Sequence, residues 1–309
     1  MSGVRRGVDI VGAMSEQPQA TSVAILGAGI IGAAMARNTV KAGISTAIWN
    51  RSPEKTSPLA GDGAEVFEAA AEAVRGRDVV ISILSDAAVT QEVMAPLLGE
   101  LTDGAVWLQC ATIGVDGTEV LAALAAEAEV AFVDVPVSGT KAPAEAGQLV
   151  MLASGDKAGA DFAAPVLDAV GAKTVWLGEA GNGSRMKLVT NDWVLGQTAL
   201  VAEAMRLCAG LGLEPSAFLD AIDGAPVGSA YAQIKGQMML SGDFPPNFPL
   251  EHGTKDSRLI VAAAREAGLD LPIAESFNEY FIAALEAGRG KEDMAVIYDY
   301  VGTQDHYEG

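Results

Sequence analysis

Apolar residues fall along this chain in two rhythms. Up to Leu177, short apolar runs alternate with stretches spaced for helices; beyond Gly178 the short runs stop. The runs Ser22–Leu26, Ser45–Trp49, Asp78–Leu84, Ala105–Gln109, Ala131–Asp134, Gln148–Ala153 and Thr174–Leu177 predict strands. Helices are expected over Ala33–Ala42, Val66–Val74, Val89–Leu98 and around Gly117–Ala126. Strands that alternate with helices predict an α/β fold with a doubly wound, mostly parallel sheet. Patterns near 182–211, 215–223, 228–240, 253–267, 273–287 and 291–300 then predict an all-α C-terminal domain. Inside it, Gly242–Pro249 (GDFPPNFP) reads as a proline-stiffened loop. The expected division is a disordered leader over 1–20, a sheet-bearing domain over 21–180 and a helical domain over 181–309.

Composition narrows the function. Half of the 309 residues are hydrophobic, enough for a sizeable core. The net charge of −20 argues against nucleic acid and anionic membranes as partners. It does not argue against an anionic cofactor, because a local field can oppose the global one. No run of 18 apolar residues lacks polar interruption, so no transmembrane helix is expected. Cys110 and Cys208 form no CxxC pattern, which points to a reducing, cytoplasmic setting. With His252 and His306 the only histidines, no metal site is expected.

Chemistry first shows at Gly27–Gly32 (GAGIIG), between the first strand and the first helix. In that βαβ context Gly27, Gly29 and Gly32 read as the fingerprint of a Rossmann dinucleotide site. Gly27 permits the tight turn, Gly29 lets a pyrophosphate approach, and Gly32 lets the helix pack. Ala28, Ile30 and Ile31 complete the loop, whose helix N-terminus offers N–H donors. An ordinary glycine-rich turn and a methyltransferase loop are the alternatives. An NAD-type site carries Asp or Glu at the end of the second strand. This chain has Asn50, Arg51 and Ser52 there, with Lys55 shortly after. A guanidinium can pair with a 2′-phosphate, so NADP(H) is favoured over NAD(H). Thr112 follows one strand and Leu84 ends another, at the carboxyl ends where a doubly wound sheet holds its ligand. Ser138, Gly139 and Thr140 offer successive N–H groups and hydroxyls, either as an anion cradle or as a plain turn.

The helix that begins near Asn182 poses a sharper question. Lys187 and Asn191 share one face at i and i+4, and Met186, Leu188 and Val189 crowd the lysine. A buried ammonium is costly unless paired or neutralised. Either that face is solvated, or Lys187 has a task such as general acid–base catalysis with Asn191 orienting a substrate. Lys255 and Asp256 follow the proline loop; such adjacent charges are equally at home on a solvated helix start.

In chain order these pieces resemble the β-hydroxyacid dehydrogenase family, which includes 3-hydroxyisobutyrate dehydrogenase. The resemblance runs from Thr21 to about Val301, through GAGIIG, DVPVSGTKAPAEAG, GNGSRMKLVTN and TKD. It implies that Lys187 is the catalytic lysine and that Asn191 contacts substrate. It implies substrate binding by Ser138, Gly139, Thr140, Phe248 and Asp256. Thr112 would lie near the nicotinamide, and Lys255 would close on the cofactor. SGTKAPAEAGQLVMLASGD and the FPPNFPLEH region look most like glyoxylate/succinic semialdehyde reductases, which tend to use NADPH. The implied activity is hydride transfer between NADPH and a small carboxylate-bearing aldehyde or ketone, or the reverse on a β-hydroxy acid. An imine reductase of the same architecture and a non-catalytic NADP-binding module are the alternatives. Asp192-Trp193 and Gly253-Thr254 depart from those reductases, and a bulky Trp193 near the pocket would alter which acid fits. The long apolar helix is expected to pack on a second subunit in a homodimer or larger homo-oligomer.

Overall fold

The computed structural model describes residues 19–302. Its nine strands are β1 Ser22–Leu26, β2 Ser45–Trp49, β3 Glu65–Val66, β4 Val79–Ser82, β5 Val106–Gln109, β6 Ala131–Asp134, β7 Val137–Ser138, β8 Leu149–Gly155 and β9 Gly171–Trp176. They join in the order β3-β2-β1-β4-β5-β6-β8-β7, with β9 on β8. Every pair from β3 to β6 is parallel, whereas β8 runs antiparallel to both β6 and β7. The order reverses at β1, which places the Gly27–Gly32 turn at the topological switch point.

The strands bury both faces, so their alternation separates two cores. Val23, Ile25, Ile81, Val106 and Leu108 fill one; Ala24, Leu26, Val80, Trp107 and Phe132 fill the other. The helices of eight residues or more are α1 Ile30–Lys41, α2 Ala87–Met94, α3 Gly114–Glu127, α4 Asn182–Gly210, α5 Pro215–Ile222, α6 Ala230–Ser241, α7 Leu250–Glu266 and α8 Pro272–Glu286. Helices α4 to α8 build a third core around Leu195, Met205, Phe277 and Phe281. At 1.5 Å per residue α4 is about 43 Å long, and its first turns pack against β6, β7 and β8.

Three expectations need correction. The helix expected from Val66 starts only at Ala70, because Glu65–Val66 pairs with β2 as an edge strand. The last helical pattern forms a short 3₁₀ helix, Met294–Asp299. Ala20, assigned to the leader, is buried and donates its N–H to the Phe162 carbonyl, so order begins before Thr21. Residues 1–18 of the expected leader and 303–309 of the helical domain lie outside the described residues.

Candidate active site

Sterics dictate two of the three loop glycines. Gly27 has φ +121°, and a Cβ there would overlap the Ile83 carbonyl and touch Leu84. A Cβ on Gly32 would overlap the Gly27 carbonyl oxygen. Gly29, the N-cap of α1, has nothing within 4 Å of a Cβ position. The open space thus lies where a pyrophosphate would meet the helix N-terminus, and the residues present fit a dinucleotide. Asn50 braces this loop: its Oδ1 accepts the Ala28 N–H at 3.0 Å and its Nδ2 donates to the Ser52 carbonyl at 3.1 Å. Arg51 and Lys55 are exposed and make no ion pair among the described residues. Ile30 and Ile31 are half-buried, and Ile31 packs on the sheet.

The start of α4 is riveted to the sheet. Gly183 lies so close to the Leu152 and Asp134 carbonyls that no side chain fits. Asp134, at the end of β6, accepts the Ser184 N–H and hydroxyl, each at 2.8 Å, and the Ser154 hydroxyl at 3.2 Å. Burial pushes the Asp134 carboxyl up, and those hydrogen bonds pull against it. Thr118 of α3 donates to Ser184 at 2.7 Å. Lys187 sits one turn farther on, so these contacts fix its height above the sheet.

Lys187 is 7 % exposed, and its ammonium makes no hydrogen bond or ion pair among the described residues. Burial pulls its pKa down to about 8; Asp256 opposes the shift and Lys255 reinforces it. Asn191 is buried on the same face and donates to Asp256 Oδ2 at 2.7 Å. Lys255 bonds the Thr112 carbonyl and lies 2.7 Å from Asp256 Oδ1. That second approach lacks hydrogen-bond geometry, so Oδ1 is a buried acceptor without a donor. The Lys255 ammonium offsets its charge, and a remaining lone pair can accept from a ligand hydroxyl. Five sequence candidates thus converge: Thr112, Lys187, Asn191, Lys255 and Asp256.

The other candidates lie around this cluster rather than in it. Ser138 is half-buried in β7, against which α4 packs. Gly139 has φ +138°, and Thr140 stands at the N-cap position of the short helix Lys141–Glu145 with no side-chain capping bond. Phe248 packs against the helical core and donates its N–H to Asp293 Oδ2 at 3.0 Å. Trp193 is 69 % exposed on the outer side of α4 and does not join the lysine cluster, contrary to its expected place near the pocket. The anchor formed by Asp134, Thr118 and Ser184 was not anticipated, although Gly183-Ser184 stood inside the quoted GNGS stretch. Among the described residues no group of His, Cys, Asp or Glu could hold a metal ion, and no helix is long and apolar enough to cross a membrane.

Comparison with known proteins accords with this geometry. Residues 22–178 match the NAD binding domain of 6-phosphogluconate dehydrogenase. Residues 181–301 match the NAD-binding domain of NADP-dependent 3-hydroxyisobutyrate dehydrogenase. Two Arabidopsis thaliana proteins, glyoxylate/succinic semialdehyde reductase 2 (chloroplastic) and reductase 1, are each 33% identical over 90% of this chain, covering 78% and 98% of their own lengths. A 3-hydroxyisobutyrate dehydrogenase structure from Salmonella typhimurium superposes with TM-score 0.83 at 28% identity, covering 90% of this chain and 99% of that one. The chain therefore belongs to the β-hydroxyacid dehydrogenase family, as an NAD(P)-dependent dehydrogenase or reductase acting on CH–OH groups.

Proposed function

We propose that the protein is an NADPH-dependent reductase of small aldehydes or ketones that carry a carboxylate, with Lys187 as the general acid. The observation that carries this reading is a buried lysine, its pKa near 8, with no partner except the field of Asp256 and Lys255. A lysine left to face solvent would keep its ordinary affinity for protons; this one releases its proton readily.

The cofactor supplies the hydride. The helix N-terminus at Gly29 would hold the pyrophosphate, and Arg51 with Lys55 would receive the 2′-phosphate. Leu84 and Thr112 would bound the nicotinamide side. Ser138, Gly139 and Thr140 hold the substrate carboxylate, and Phe248 bounds its carbon chain. Lys187 Nζ gives its proton to the carbonyl oxygen as negative charge develops there. Asn191 orients that oxygen, while Asp256 Oδ1 waits for a hydroxyl. Lys255 ties α7 to the Thr112 carbonyl and so keeps the helical side against the sheet. In the reverse direction Lys187 accepts the proton of a β-hydroxy acid.

Val189, Trp193, Leu200 and Leu207 form an exposed apolar row on α4, and this row supports a homo-oligomer built on that helix. The free, buried Cys110 and Cys208 suit a reducing, cytoplasmic compartment.

The test is NADPH and NADH oxidation against glyoxylate, succinic semialdehyde, methylmalonate semialdehyde, tartronate semialdehyde and a cyclic imine. Faster NADPH-dependent turnover of one carboxylate-bearing carbonyl supports the reading and names its substrate class. Turnover of the imine alone overturns it.

A further inference from the structure

The helical region buries a second cation away from the cluster just described. Lys235 of α6 is 1 % exposed, and its ammonium lies 2.5 Å from Oδ1 of Asp293, which is fully buried. Buried ion pairs contribute little net stability, since hydrocarbon of the same shape does as well or better. Such a pair therefore invites the question of what it holds in place.

The proline strap provides the answer. In the segment from Phe244 to Pro249 (FPPNFP), Pro245, Pro246 and Pro249 have no N–H to donate. The two N–H groups between those prolines, on Asn247 and Phe248, both end on Asp293 Oδ2, at 3.1 and 3.0 Å. Oδ1 takes Lys235 and the Ala295 N–H at 2.9 Å. The Asp293 backbone is engaged as well, its N–H donating to the Phe244 carbonyl at 2.9 Å. A carboxylate so placed accepts four donors, which no neutral side chain of its size can do. Lys235 supplies the opposite charge beside it inside the core.

The strap leads directly into α7, which carries Lys255 and Asp256 in its first two turns. On the opposite side, Lys235 stands 5.4 Å from the centre of the Tyr231 ring, whose hydroxyl lies 3.0 Å from Thr198 Oγ1 on α4. One buried polar line therefore connects the helix of Lys187 to the strap of Phe248 and the helix of Asp256.

We propose that Lys235 and Asp293 are positioning residues for substrate: together they set Phe248 and the start of α7, and thereby decide which carboxylate-bearing carbonyl is bound, without touching it. The proposal rests on the reading of Phe248 and Asp256 as substrate-facing.

The experiment uses the full chain with Lys235→Met and, should that variant fail to fold, Asp293→Asn. Met239→Ala serves as control, because it thins the buried face of the same helix but removes neither charge of the pair. Two readouts are taken. Hydrogen exchange of the Asn247 and Phe248 amides rises about tenfold in the variants while β1 to β6 stay protected. For the semialdehyde that the wild type reduces fastest, KM rises about fivefold or more with kcat within about twofold, and the NADPH Kd is unchanged. The control loses thermal stability but keeps its KM. An unchanged strap and an unchanged KM in a folded variant overturn the proposal, as does an equal KM shift in the control. Should the wild type reduce no carbonyl, the reductase reading fails. The exchange measurement then decides the positioning claim alone, and continued protection of the strap overturns it.

Discussion

Two lysines are buried in the helical region, and the protein treats them in opposite ways. Lys235 is paired at 2.5 Å with a carboxylate that also gathers three backbone N–H groups. Lys187 has no such partner; Asp256 acts on it only through its field, while the Asp256 oxygens face Asn191 and Lys255. Burial lowers the proton affinity of both. The paired lysine behaves as part of the framework, its charge spent on holding a loop. The unpaired one is destabilising where it stands, a cost that folding alone does not explain. That contrast supports the proposal that Lys187 is the chemical group and Lys235 a support.

Removing each charge tests the contrast with effects of opposite sign on stability. Lys187→Met is expected to lower kcat by about 10²- to 10⁴-fold while NADPH affinity is kept. The same change relieves an unpaired buried charge and is expected to raise stability by about 1 to 3 kcal/mol; steady-state kinetics and a melting curve check both halves. Lys235→Met leaves Asp293 charged and buried, and its expected cost is about 3 to 5 kcal/mol in denaturant midpoint experiments. A loss of turnover in both variants with the same change in stability would dissolve the distinction.

Smaller effects sharpen it at the cofactor end. Gly32→Ala forces a Cβ into the Gly27 carbonyl and is expected to destabilise the fold by about 1 to 3 kcal/mol. Gly29→Ala meets open space, so the fold should hold while NADPH affinity drops in a titration. Arg51→Glu is the mildest: kcat/KM with NADPH falls about tenfold relative to NADH, and stability stays within about 0.5 kcal/mol.

Much of this was legible in the sequence. β1, β2 and β6 declared themselves as apolar runs bounded by turns, and the glycine loop followed from its strand-to-helix setting. The two-residue strands β3 and β7 did not, because two residues carry no periodicity and only partners define them. Lys187 was visible as a misplaced charge. Whether it was buried, and against what, depended on α7 folding back from 65 residues away to bring Asp256 to Asn191. Asp293 was silent for the same reason: it fell inside the helical pattern expected over 291–300, and only the strap's missing N–H groups give it a role. Asn50 was read as a cofactor contact; the structure adds that its amide braces the glycine loop.

In the proposed mechanism Lys187 carries the transferred proton with its pKa held near 8. Reduction needs the protonated form, and oxidation needs the neutral one. A folded pKa below the ordinary 10.5 also means that the unfolded chain binds the extra proton between about 8 and 10.5, so Lys187 makes stability rise with pH across that window. The most direct measurement is the pH profile of kcat/KM for NADPH-dependent reduction by the wild type and by Lys187→Met. The account predicts a wild-type plateau below about pH 8 and a tenfold fall per unit above it, with the reverse profile for oxidation and no such break in the variant. The same break surviving in Lys187→Met would contradict it.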